Sequence, residues 1–106
     1  MPAAARTAAR RFLNGYLATV YGRASIDAIP ASTPRLRQMI RRQGARVPPA
    51  QRMRHPRVTQ LVLVAISARR LRGRATVDDG DLVPYRLAFT IQRDRSGRWL
   101  ASSIGE

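Results

Sequence analysis

The chain has 106 residues, no cysteine and a formal net charge of +14 from 20 basic and six acidic residues. That length is one domain's worth and buries roughly 60–70% of the surface its unfolded chain exposes. The absence of cysteine excludes disulfides and thiolate metal sites, and the absence of lysine makes every basic side chain a guanidinium.

Residues 5–21 are apolar at helical period: Ala5, Ala9, Phe12, Leu13, Tyr16, Leu17 and Val20 form one stripe, with Arg6, Arg10, Arg11 and Asn14 turned away. Gly15 inside this helix hints at close packing, and Gly22 is a natural terminator. Ser25 caps a short turn that Pro30 ends. Thr33 followed by Pro34 starts a second helix over 34–43, with Leu36, Met39 and Ile40 expected to be buried and Gly44 ending it. Residues 47–56 hold three prolines and read as a loop.

From Val58 the period changes to two. A long strand is expected over 58–71, a turn at Gly73, a second strand over 74–78, and a loop at Asp78-Asp79-Gly80-Asp81. Residues 83–93 alternate most clearly, with Val83, Tyr85, Leu87, Phe89 and Ile91 on one face. A turn at 94–97 leads to a last strand over 98–104. Helices followed by an antiparallel meander define an α+β fold, N-terminal helices on a curved sheet, rather than alternating βαβ units.

This order resembles the nuclear-transport-factor-2-like (cystatin-like) superfamily, over nearly the whole chain. The motifs are Phe12-Leu13 with Tyr16-Leu17, Asp79-Gly80 in a hairpin, 85–89 (Tyr-Arg-Leu-Ala-Phe) and 99–104 (Trp-Leu-Ala-Ser-Ser-Ile). The resemblance implies a cone closed by helices over the sheet's concave face, serving an enzyme in some members and assembly or delivery in many. A narrower set, Phe12-Leu13…Tyr16-Leu17…Tyr21-Gly22-Arg23, then Leu36-Arg37 and 47–49 (Val-Pro-Pro), is similar to Gram-positive conjugation proteins of the TcpC type. Those are membrane-anchored, and they resemble an assembly subunit of type IV secretion systems. This chain differs in having no membrane helix and one such domain. The likeness implies an extracytoplasmic location if an anchor has been removed, and a cytoplasmic one otherwise.

The residues themselves offer little chemistry. No stretch approaches the roughly 20 apolar residues of a membrane span; the longest apolar run is 61–66, and the first residues lack the apolar centre of a signal peptide. His55 is the single histidine and has no metal-ligand companion at readable spacing. Asp78, Asp79 and Asp81 lack the spacing of a calcium loop and read as turn formers. Ser102 and Ser103 have no base at readable spacing. No catalytic residue, metal ligand or cofactor is therefore assigned.

Three groups of residues remain as candidates. Tyr16, Asp27, Tyr85, Phe89 and Trp99 could line a cone pocket, with core packing as the plain alternative for the aromatics. Arg41, Arg42, Arg46, Arg52, Arg54 and Arg57 are expected to attract polyanions, nucleic acid or anionic membrane, without sequence preference. Val62, Val64 and Ile66 lie opposite Leu61, Leu63 and Ala65 on their strand. A sheet covered on one side needs only one apolar set. The spare set, beside the small Ala88 and Thr90, reads as an interface for a protein partner or a second copy, unless residues 47–56 fold over it. The expected function is a non-catalytic assembly domain of a transfer or secretion machine. The alternatives are a small-molecule-binding or enzymatic relative and a non-specific polyanion binder.

Overall fold

Helices precede strands in the chain, as the change of period requires. The structure is a computed structural model and describes residues 3–44 and 47–105. Helix α1 spans Ala3–Val20 and α2 spans Pro34–Gln43, with single helical turns at Ile26–Ala28 and Pro49–Gln51. Four strands follow: β1 (Arg57–Ser67), β2 (Arg70–Asp78), β3 (Tyr85–Arg93) and β4 (Trp99–Gly105), paired antiparallel in the order β1-β2-β3-β4. The result is an open α+β meander with both helices on one face.

The caps act as their residue types demand. Thr33 accepts from the Leu36 amide at 3.1 Å and Ser25 from the Asp27 amide at 3.3 Å. Gly44 closes α2 at φ 58°, the left-handed region that costs an L side chain about 1–2 kcal/mol. Gly15 is a contact glycine: a Cβ there would lie 2.3 Å from Cδ of Pro30.

α1 lies across the inner face of the sheet against β4 and β1, and α2 packs on β4. Phe12, Leu13 and Leu17 meet Leu71, Leu87, Phe89 and Ile91 in one buried cluster. Each such side chain contributes roughly 1.5–3 kcal/mol on burial. The edge of β4 is joined by the segment before α2. The Thr33 amide donates to the Ala101 carbonyl at 2.9 Å, and the Ala101 amide donates to the Ala31 carbonyl at 2.7 Å.

Several sequence expectations need correction. The first hairpin turns at Ala68–Arg69, where Ser67 pairs with Arg70, and not at Gly73. Gly73 lies within β2, directly opposite Phe89; a Cβ on it would sit 2.2 Å from the Phe89 ring. The glycine makes room for an aromatic ring and does not make a turn. Met39 is 43% exposed, because the contact face of α2 is narrow enough for Leu36 and Ile40 alone. Val83 is 75% exposed in the loop that precedes β3.

Candidate functional site

The outer face of the sheet, away from the helices, carries the most distinctive chemistry. On β1 the inward Leu61 and Leu63 are buried, while Val62, Val64 and Ile66 are 45%, 58% and 50% exposed. Residues 47–56 therefore do not cover this strip. Ala65, expected with the buried pair, is exposed near the end of β1, next to the irregularity between Ala65 and Ser67.

Pairing carries this face across the sheet. Val62 stands opposite Arg74, which stands opposite Ala88; Val64 stands opposite Arg72, which stands opposite Thr90. Arg70, Arg72 and Arg74 thus form an exposed column along β2, spaced about 6.6–6.8 Å apart by the strand rise. An aliphatic column flanks it on β1, and Ala88 and Thr90 flank it on β3. Arg86 extends it, opposite Thr76. None of these four arginines forms an ion pair with another described residue. The column escaped the sequence reading because the turn was placed at Gly73. The signal was present in Arg70-Leu71-Arg72-Gly73-Arg74-Ala75, a strict alternation of cation and small or apolar residue.

The arginines singled out from the sequence are scattered by comparison. Arg41 pairs with Asp27. Arg54 Nη1 lies 3.1 Å from Asp81 Oδ2 and 3.7 Å from Asp79 Oδ1, so its charge is engaged internally. Arg52 is half-buried and its Nε donates to the Val47 carbonyl at 3.4 Å. Arg42 and Arg57 are exposed on different elements. Arg46 lies outside the described residues. The helix–loop patch is thus partly neutralised where it folds back on itself.

A second feature is a cleft of about 430 Å³ at one end of the inner face. Tyr16, Val20, Val47 and Leu87 line it with Tyr21, Asp79 and Tyr85. The Tyr21 hydroxyl donates to Asp79 Oδ2 at 2.6 Å and lies 2.9 Å from the Tyr85 hydroxyl. The Asp79 Oδ1 atom accepts from the Asp81 amide at 3.0 Å. Burial, followed by the hydrogen bonds to Asp79 and Tyr85, pushes the Tyr21 phenol far above its ordinary value. The Leu82 amide, and next Arg54, hold the Asp81 carboxyl below its ordinary value. The buried Asp79 thus ties the end of α1 to the β2–β3 loop.

Of the residues expected to line a pocket, Tyr16 and Tyr85 do. Asp27 does not: it is exposed at the helical turn and paired with Arg41. Phe89 is buried at 1%, its ring centroid 6.2 Å from that of Phe12, and Trp99 is buried at the start of β4; both belong to the core. No local pattern pairs Tyr21 with Asp79, since a helix terminus and a turn come together there only through the fold. Among the described residues no group of His, Asp or Glu could hold a metal ion, and no helix is long and apolar enough to cross a membrane. No family model, curated protein or solved structure matches the chain.

Proposed function

We propose that the protein is a non-catalytic assembly domain that holds a partner macromolecule on the outer face of its sheet. The observation that carries this reading is the exposed strip Val62, Val64 and Ile66 beside the Arg70–Arg72–Arg74 column. Aliphatic side chains in that register do nothing for the core, whose inward set is complete without them. An apolar strip with arginine beside it has the make-up of a protein interface, apolar at the centre and enriched in Arg.

The finer form of the reading places this domain in a nuclear-transport-factor-2-like cone and in a membrane-anchored conjugative-transfer or secretion component, outside the cytoplasmic membrane. It rests on the sequence motifs that resemble those families. A membrane helix encoded just upstream of Met1 would support it.

The test uses a photo-crosslinking amino acid in place of Val64, with Arg11 on the exposed face of α1 as the control position. In the producing cell, position 64 should yield a discrete protein adduct that disappears when Val62 is changed to Asp. Equal patterns at both positions, or no adduct at 64, would overturn the assembly reading. A second reading is supported by the cleft: its volume falls in the range of small-molecule sites. In that reading a ligand contacts Tyr16 and Tyr85, and Tyr16→Ala abolishes binding in a fragment screen while Val64→Asp leaves it intact.

A further inference from the structure

From the charge inventory of the outer face we infer that its occupant is an acidic protein segment in which carboxylate and aliphatic side chains alternate. The inference rests on the assembly reading above and adds the chemistry of the partner.

The first observation is a hollow of about 380 Å³ at the β1–β2 turn, lined by Ile66, Ser67, Arg69, Arg70, Gln92 and Arg93. Three of its six lining residues are arginines and none is an acid. Arg70 belongs both to this hollow and to the column with Arg72 and Arg74, so cationic side chains follow one another along β2 with the aliphatic strip at their side. These arginines are exposed, and like charges gathered with no acid among them favour an anionic partner.

The protein's own acids are spent elsewhere. Asp27 pairs with Arg41, Asp79 and Asp81 with Arg54, and Asp94 with Arg98. Among the described residues the one acid of this face, Asp78, sits at the far end of β2 opposite Arg57, its carboxylate accepting from the Gly80 amide at 2.9 Å. Two copies laid face to face would bring arginine columns together with no acidic patch to answer them. The charge inventory therefore disfavours a second copy as occupant.

The aliphatic strip decides between anionic partners. Single-stranded nucleic acid held without sequence preference uses cations together with aromatic stacking platforms, and among the described residues no exposed aromatic side chain lies on this face; a duplex is held by its phosphates. A phosphate backbone gains nothing from Val62 and Val64. A protein segment gains twice, by burying aliphatic side chains on the strip and by giving carboxylates to the arginines in charge-assisted, bidentate pairs.

The test measures binding by fluorescence anisotropy to four probes: a synthetic peptide of alternating Glu and Val, its Gln–Val counterpart, a single-stranded oligonucleotide and a duplex. Phosphatidylserine-containing vesicles form a separate arm, and sedimentation reports the oligomeric state. Two double variants are compared with the parent, Arg70→Gln with Arg72→Gln and Val62→Thr with Val64→Thr; unchanged urea midpoints establish that both fold.

The expected result is binding of the Glu–Val peptide, loss of about tenfold or more in each double variant, and at least about tenfold weaker binding of the Gln–Val peptide, about 1.4 kcal/mol in each case. Tighter binding of oligonucleotide that ignores the Val→Thr changes would make this a nucleic-acid surface and overturn the inference. Vesicle binding without peptide binding, a dimer broken by the Val→Thr changes, or no binding of any probe would overturn it as well. If position 64 still crosslinks to a protein while the Glu–Val peptide fails, the assembly reading survives and the acidic chemistry does not. If both fail, both are wrong.

Discussion

Along β2 the side chains that point toward the helices are Leu71, Ala75 and Val77, with Gly73 leaving space for a ring; those that point away are Arg70, Arg72 and Arg74. β1 does not repeat that contrast. Its inward Leu61 and Leu63 are matched outward by Val62, Val64 and Ile66. The same sheet therefore has an inner face whose composition folding explains and an outer face whose composition it does not. β2 behaves as a half-buried strand should, and β1 carries apolar surface beyond what its own fold uses.

The two faces should respond to substitution on different scales. The largest effect is expected from Phe89→Ala on the inner face, a loss of about 3–5 kcal/mol in urea unfolding. Val64→Thr on the outer face should stay within about 0.5 kcal/mol. A comparable cost at Val64 would mean that the outer strip belongs to the core, and the comparison would fail.

Next in size, Gly73→Val should cost roughly 1–3 kcal/mol by overpacking, because its Cβ meets the Phe89 ring. Combined with Phe89→Leu, it should be less than additive, since the smaller side chain vacates the contested space. Strict additivity would break the explanation of this glycine.

Tyr21→Phe removes the hydroxyl that serves buried Asp79 and should lower stability by roughly 1–3 kcal/mol. Its pH dependence sharpens the test. The folded phenol is held far above its ordinary value of 10.0, so the stability it contributes is complete below that value. Above it the unfolded state releases a proton that the folded state retains, and stability falls with rising pH. The Tyr21→Phe protein should lack this part of the alkaline loss in pH-dependent urea midpoints.

The smallest effect is expected at the β3–β4 turn. The Ser96 hydroxyl, and next the Arg98 amide, hold the half-buried Asp94 carboxyl at about 2 against an ordinary 3.8. Its contribution is present above 3.8 and is lost as pH falls through about 2. Asp94→Asn should flatten that acid limb and leave the proposed peptide binding on the outer face unchanged at neutral pH. An Asp94→Asn protein with the parent's acid limb would refute the assignment.

Much of the architecture was legible in local signals. The 3.6-residue stripe through Phe12, Leu13 and Leu17, the Thr33-Pro34 start, the Gly22 and Gly44 stops and the alternation over Leu87, Phe89 and Ile91 are short-range patterns, decided by neighbours within a few residues. The outward placement of Val62, Val64 and Ile66 was also readable, since side chains on a strand alternate whatever the partner. Met39 was misread because helical period locates a stripe but not its width, which the neighbouring surface decides.

Other features were settled only by tertiary contact. Gly73 looks like a turn until Phe89 of the next strand is laid over it, and with that turn misplaced the arginine column of β2 stayed hidden. Asp79 looks like one turn acid among several until Tyr21, 58 residues away, reaches it with a hydroxyl. Local patterns in the sequence determined both helices and the strand character of the second half, because those depend on backbone period and steric propensity; they did not determine where the first hairpin turns. Only the tertiary structure decided which arginines are consumed by internal acids and which stay without an ion pair among the described residues, because ion pairing depends on distances between segments that no local pattern encodes.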